Sequence, residues 1–293
     1  MLFRAVRARS GINPQSDTMP IMKNLTVAMI GDVVGRPGRS MIKQHLPRLR
    51  KEHGIDFVVA NYENASHGFG LTAKNADELF KAGVDVMTGG NHSFDKKEII
   101  PLFETLPLLR PHNYPEAMPG KGTGIYEVNG VKVGVLNVMG YYAMPMVDNP
   151  FICAQKSVEA LRREGAEVIL VDMHAEATSE KRALLMMLRG QVGAIVGTHT
   201  HVATDDLQVD GGTGYVTDLG LTGCRDNVIG MDPKIPLQRF LTGLPGHFNV
   251  PEKCKKILQT AVFELDEKGR CVSARKIKTF DDGREIVADA WEA

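Results

Sequence analysis

Five short apolar runs along this chain each stop at a residue able to bind a metal ion. LTVAMIG ends at Asp32, DFVVANY at Glu63 and Asn64, and VDVMTGG at Asn91 and His92; EVILVDM ends at His174, and VGAIVGT at His199 and His201. Runs of this length, bounded by glycine and polar residues, read as buried strands. Helical patterns near 39–52, 73–82, 96–105 and 177–190 lie between them, so the strands are joined by crossovers and run largely parallel. The carboxyl ends of parallel strands share one edge, where α/β folds place their ligands. Five strand ends carrying Asp, Glu-Asn, Asn-His, His and His-x-His therefore predict one site, and the donor set reads as a dinuclear metal centre. The His-x-His pair is a weak signal by itself.

The alternation changes after residue 120. GIYEV and VKVGVLNVMG flank Asn129-Gly130, the strongest short hairpin signal, and a helix is predicted over SVEALRREG. KKILQTAVFEL and CVSARKIKTF form a second hairpin turning at Asp266–Gly269. Parallel units followed by hairpins imply α/β architecture with two packed sheets flanked by helices, a four-layer αββα sandwich. Residues 202–250 are rich in Gly, Pro and Asp, with one short strand at GYVTDLG, and read as a loop-rich accessory subdomain. The domain is expected to span 23–293. Residues 1–22 read as an extension outside the fold, with an Arg-rich transit segment as the rival reading.

Lys+Arg and Asp+Glu are equal at 35 each, so no global field draws the chain to nucleic acid or to an anionic membrane. Phosphate chemistry would need a local source of positive charge, which bound metal supplies. No apolar run approaches a membrane span. Cys153, Cys224, Cys254 and Cys271 are widely spaced with no Cys-x-x-Cys pair, and suit a reducing cytoplasm with free thiols better than disulfides. Carboxylates mixed with imidazoles suit Fe, Mn or Zn better than Mg or Ca.

The pattern resembles the calcineurin-like metallophosphoesterase superfamily. Gly90-Asn91-His92 matches its G-N-H motif, His174 its lone His, and Gly197-Thr198-His199-Thr200-His201 its G-H-x-H with one inserted residue. Asp32 lacks the following x-His, and Tyr62-Glu63-Asn64 replaces G-D-x-x-D. Those departures match the bacterial YmdB-like branch, as do the stretches GDVVGRPGR, ENASHGFGLT, GGNHSFDKKEI and GTHTHVATDD. The resemblance implies a first metal held by Asp32, Glu63, Asn64 and His201, and a second held by Glu63, Asn91, His174 and His199. It further implies a hydroxide bridging the two ions as nucleophile, with His92 left to protonate the leaving group, and a chain that oligomerises. The implied activity is hydrolysis of small phosphodiesters, including 2′,3′- and 3′,5′-cyclic nucleotides, by a cytoplasmic enzyme carrying Fe or Mn, with Zn as the third choice. The rivals are a phosphomonoesterase or nuclease using the same metals, and a non-catalytic regulator that binds a nucleotide or RNA. A full ligand set argues against the regulator, and zero net charge argues against long nucleic acid as sole partner.

Arg36 and Lys74 are the cations nearest the motifs in sequence, and no Arg cluster is available to clamp a monoester dianion. A diester preference is therefore expected, with 202–250 shaping the pocket for a base or ribose. Gly68-Phe69-Gly70-Leu71-Thr72 reads equally as a phosphate cradle or a tight turn. His45, His53 and His247 read as solvated, His67 and His112 as ambiguous, and Met186 and Met187 as core.

Overall fold

The computed structural model describes residues 24–292, so the expected extension over 1–22 lies outside the described residues. The first half alternates β1 (Leu25–Ile30), α1 (Gly35–Glu52), β2 (Phe57–Asn61), α2 (Ala73–Lys81), β3 (Val86–Thr88) and a 3₁₀ helix at Lys97–Glu104. Next come β4 (Thr123–Val128), β5 (Val131–Met139), α3 (Pro150–Arg163), β6 (Val168–His174), α4 (Thr178–Leu188) and β7 (Ala194–Thr198). The remainder holds β8 (Gln208–Asp210), β9 (Thr213–Val216), β10 (Gly223–Cys224) and α5 (Lys234–Thr242), then β11 (Lys256–Leu265), β12 (Cys271–Phe280), β13 (Glu285–Asp289) and β14 (Trp291–Glu292).

Two seven-stranded sheets result. The first runs β13-β12-β11-β1-β2-β3 with β10 on β11, and the second runs β14-β8-β9-β7-β6-β5-β4. β1, β2 and β3 are parallel, as are β5, β6, β7 and β9. Each central strand is buried and mostly apolar because both of its faces are covered, the rule for parallel strands. Val27 and Met29 of β1 pack against Val133, Val135, Leu170 and Val196 of the second sheet. Their alternates Ala28 and Ile30 pack beneath Met41 and Leu46 of α1 and Leu79 of α2. On the far side Val171 and Ile195 meet Val158 of α3 and Leu184 of α4. The order is helix, sheet, sheet, helix, as the alternation predicted.

The hairpin turn has Asn129 at φ 52° and Gly130 at φ 84°, joining Val128 to Val131 in register. Several boundaries differ from expectation. α1 begins at Gly35 rather than near Arg39, because Pro37 sits in its first turn, where a missing N–H costs nothing. α3 begins at Pro150, since the Asn149 side chain accepts from Phe151 N and Ile152 N as its cap. The segment near 96–105 is a 3₁₀ helix containing Pro101. β13 was not predicted, for its residues are almost all exposed and leave no period-2 burial signal.

The cysteine reading is overturned. Cys224 and Cys254 form a disulfide with Cα atoms 5.6 Å apart. β10 pairs with β11 through Gly223–Ile257 and Cys224–Lys256, and this register brings Cys254 beside Cys224 across 30 residues of chain. Cys153 and Cys271 are free. Among the described residues no helix is long and apolar enough to cross a membrane.

Candidate metal centre

The seven donors predicted from sequence converge where the strand ends of both sheets meet. Glu63, His174 and His199 each offer one atom within 4.8 Å of the others, and so do Asp32, Glu63 and His201; Glu63 belongs to both groups. Asp32, Glu63 and His174 are fully buried. Asn64 Oδ1 lies 3.0 Å from His201 Nε2, and Asn91 Oδ1 lies 3.0 Å from His174 Nε2.

Hydrogen bonds behind the site decide which nitrogen of each imidazole carries a lone pair. His201 Nδ1 is 2.8 Å from the Ile229 carbonyl oxygen, which only accepts, so Nδ1 bears the proton and Nε2 the lone pair. The Thr198 hydroxyl donates to Asp172 Oδ1 at 2.7 Å and accepts from His174 Nδ1 at 2.9 Å, leaving His174 Nε2 unprotonated when the ring is neutral. His199 Nε2 faces Glu176 Oε2 at 3.1 Å, so His199 Nδ1 is the free atom. His174 Nε2 then sits 3.1 Å from His199 Nδ1, 3.1 Å from Glu63 Oε2 and 3.0 Å from Asn91 Oδ1. Four lone-pair atoms facing one another repel unless a cation lies among them. Imidazoles oriented through their outer nitrogen are the usual arrangement of metal-binding histidines.

The backbone is bent to achieve this. His199 and His201 have φ of 97° and 63°, conformations that cost an ordinary residue about 1–3 kcal/mol each. The loop is held by Asp32, which accepts from His199 N at 3.2 Å, and by Asp218, which accepts from Thr200 N at 3.2 Å. The fully buried Lys181 ammonium donates to Asp218 Oδ2 at 2.7 Å and fixes it. Two glycines are required by close approach. A Cβ on Gly90 would lie 2.1 Å from Glu63 Oε2 and 2.3 Å from His174 Nε2, and one on Gly197 would lie 1.7 Å from the Thr217 carbonyl oxygen.

Electrostatics favour a cation in this pocket. Burial pushes the Asp32 carboxyl up to about 6 against the pull of His201 and His174. Burial would also raise Glu63, but His174, then His92 and His199, outweigh it and hold the carboxyl at about 2. Burial and the neighbouring His174 push His199 down to about 3. Two buried carboxylates and three imidazoles, each with its outer nitrogen engaged and its inner one turned into the pocket, with no Lys or Arg among them, match a borderline divalent ion.

The donors open onto a cleft of about 400 Å³ whose near wall includes Glu63, Asn64, His199 and His201. His92 also lines the cleft, with Nδ1 2.8 Å from Asp95 Oδ2. The far wall comes from 202–250, through Ile229, Met231, Arg239, His247 and Phe248, and Phe69 links the two walls. Arg36 and Lys74 are exposed and absent from the cleft; Arg239 is the cation that lines it. Nothing in the weakly periodic sequence around Arg239 signalled this placement. The loop at 66–70 is a tight turn, in which Gly68 N donates to Asn64 O and Asn64 Nδ2 donates to Gly68 O. It thereby aims Asn64 Oδ1 at His201. His247 is exposed as expected yet faces the cleft, His45 is buried rather than solvated, and Met186 is 45% exposed rather than core. Among the described residues, Glu52, His53 and Glu285 also cluster, but Arg48 already pairs with both carboxylates.

The chain is similar to known proteins over most of its length. Residues 28–277 match the family model described as YmdB-like protein. The chain is 42% identical over 262 residues to a 2′,3′-cyclic-nucleotide 2′-phosphodiesterase of Bacillus subtilis (strain 168), covering 88% of this chain and 98% of that protein. A crystal structure of a hypothetical protein from Thermus thermophilus superimposes with TM-score 0.81 at 39% identity, over 91% of this chain and 100% of that one. A novel phosphatase from Mycoplasma pneumoniae gives TM-score 0.82 at 32% identity, over 92% and 96%. With the family model spanning most of the chain and relatives matched nearly end to end, this chain belongs to the YmdB-like family.

Proposed function

We propose that this enzyme hydrolyses small phosphodiesters, with 2′,3′- and 3′,5′-cyclic nucleotides as its substrate class. Two divalent ions, Fe or Mn ahead of Zn, would be held by Asp32, Glu63, Asn64 and His201 and by Glu63, Asn91, His174 and His199. The observation that carries this reading is the set of three imidazoles whose outer nitrogens are each engaged, with their free nitrogens turned toward shared, buried Glu63. Bound ions there supply the charge that activates water and offsets the negative charge on the phosphoryl oxygens.

The chain's own groups do the rest. His92 lines the cleft with Nδ1 anchored on Asp95, leaving Nε2 able to carry a proton to the departing alkoxide. Its backbone N–H also donates to Glu63 Oε2 at 3.2 Å, which ties the acid to the shared carboxylate. Ile229 and Met231 line the mouth and narrow the access of bulk water.

Residues 23–293 form one metallophosphoesterase domain in this reading, with 202–250 as its accessory region. A homo-oligomer goes with it, supported by the apolar side chains that α5 leaves exposed, Phe240 at 82% and Leu241 at 84%. So does a cytoplasmic location, supported by a nucleotide substrate; the Cys224–Cys254 disulfide is the observation that points the other way. A phosphomonoesterase is the second reading, because Arg239 adds a cation to the cleft that a dianion could use. Measured kcat/KM on 2′,3′-cyclic AMP, 3′,5′-cyclic AMP and the matching monophosphates separates the two. The diester reading expects either cyclic nucleotide to be opened faster than AMP is converted to adenosine, and the reverse order transfers the assignment to the phosphatase.

A further inference from the structure

The Arg239–Phe248 side of the cleft has no role in the diester hydrolysis described so far. It is aromatic and cationic, unlike the carboxylate and imidazole wall opposite. The Arg239 guanidinium lies 5.8 Å from the centre of the Phe248 ring. The Phe69 ring stands edge-on to His92 at 5.2 Å and lies tilted by 37° against the His247 ring at 6.2 Å. Phe248 is half-buried, packed against Val34, Leu221, Met231 and Ile257 with the guanidinium over its ring, while Arg239 is exposed and offers its plane and its N–H donors to the cleft.

We propose that Phe248 and Arg239, with Phe69 and His247 at their side, form a nucleobase-binding wall that gives the enzyme its preference for nucleotides over other phosphodiesters. The inference rests on the diesterase reading above and adds what the leaving group must carry. A base presents a π-face that can stack on Phe69 and on the Arg239 guanidinium, which the Phe248 ring backs and holds flat. Every base also presents ring nitrogens or carbonyl oxygens that accept from a guanidinium, which is donor-only and keeps its plane when stacked on an aromatic ring. A phosphate alone would not require the aromatic surface. A cleft of about 400 Å³ falls within the roughly 300–1,000 Å³ of small-molecule sites and can take a base and ribose together with the phosphate.

Arg239, His247 and Phe248 sit between Cys224 and Cys254, whereas the metal donors sit at the strand ends of the two sheets. Base recognition and metal binding are therefore separable by mutation. The experiment compares 2′,3′-cyclic AMP with glycerol 1,2-cyclic phosphate, which has the same five-membered cyclic diester and no base. Wild-type enzyme is expected to show a higher kcat/KM on the nucleotide, and that ratio is expected to fall at least tenfold in Phe248→Ala and in Arg239→Ala. The loss should sit in KM rather than kcat, with metal content unchanged. A wild-type ratio near one, or equal losses on both substrates, overturns the wall.

If neither cyclic diester is opened, the diesterase reading fails on its own account. The wall is then decided by titrating adenosine, which carries no phosphate, into the metal-loaded protein and following it by NMR. Saturable binding that weakens about tenfold in Phe248→Ala supports it, and binding that is absent or indifferent to the substitution overturns it.

Discussion

Glu63 is the residue on which the two donor groups depend. Its carboxylate is buried, contacts His174 Nε2 at 3.1 Å, and is the member common to both clusters. Glu63→Gln keeps the shape and removes the charge, so the converging lone pairs lose the anion that offsets two dications. The substituted protein is expected to fold yet to hold at most one ion per chain, where wild type loaded with Mn or Fe holds two. Elemental analysis reads this directly, and a variant that keeps two ions removes Glu63 from the bridging role. His92 behaves differently, for it lines the cleft without contributing to either donor group. His92→Ala is expected to retain metal and lose ~10²–10⁴-fold in rate. The loss should be smaller on aryl esters, whose good leaving groups need little protonation. An equal loss on aryl and nucleotide esters, or loss of metal, would show that His92 is not the acid.

At the scale of elements, the informative one is the segment between β10 and β11, which carries α5 and the far wall of the cleft. Its residues are mostly exposed, and its attachment to the body depends on Met231, Phe248 and Val250, which pack with Val34, Leu221 and Ile257, and on the disulfide at its base. Closing a loop of this size stabilises a fold by about 2–4 kcal/mol. Cys254→Ser, or reduction of wild type, is therefore expected to speed proteolysis within residues 225–253 and to raise KM, while metal content stays the same. Limited proteolysis with and without dithiothreitol tests it; identical cleavage rates would mean that side-chain packing alone holds the segment.

On the scale of the whole molecule, the two sheets are joined beneath the site by one buried carboxylate. Asp172 on β6 of the second sheet accepts from Thr88 Oγ1 at 2.5 Å and from Asn61 Nδ2 at 3.0 Å, both on the first sheet, and from Thr198 at 2.7 Å. Asp172→Ala strands three buried polar groups, a loss of about 3 kcal/mol or more. Thermal denaturation should show Tm falling by roughly 5–10 °C, with weaker metal binding because Thr198 no longer orients His174. An unchanged Tm would mean that the sheets are held by their apolar contacts alone.

The strand ends were legible because a parallel strand buried on both faces must be apolar, so its first polar residues stand out at the sheet edge. That is why Asp32, Glu63, Asn64, Asn91, His92, His174, His199 and His201 could be gathered from sequence, and why the four-layer order followed from alternation. Asp172, Asp95 and Glu176 could have been noticed only as polar residues close to those motifs, with nothing to mark their function. Arg239, Phe248 and the Cys224–Cys254 pair left no local trace. The segment that holds them has little buried surface and hence no periodicity, and the cleft wall exists only where a 30-residue excursion returns to the sheet edge. The sequence by itself determined which residues end each strand; the packing of two sheets and the path of that excursion decided what faces them across the cleft.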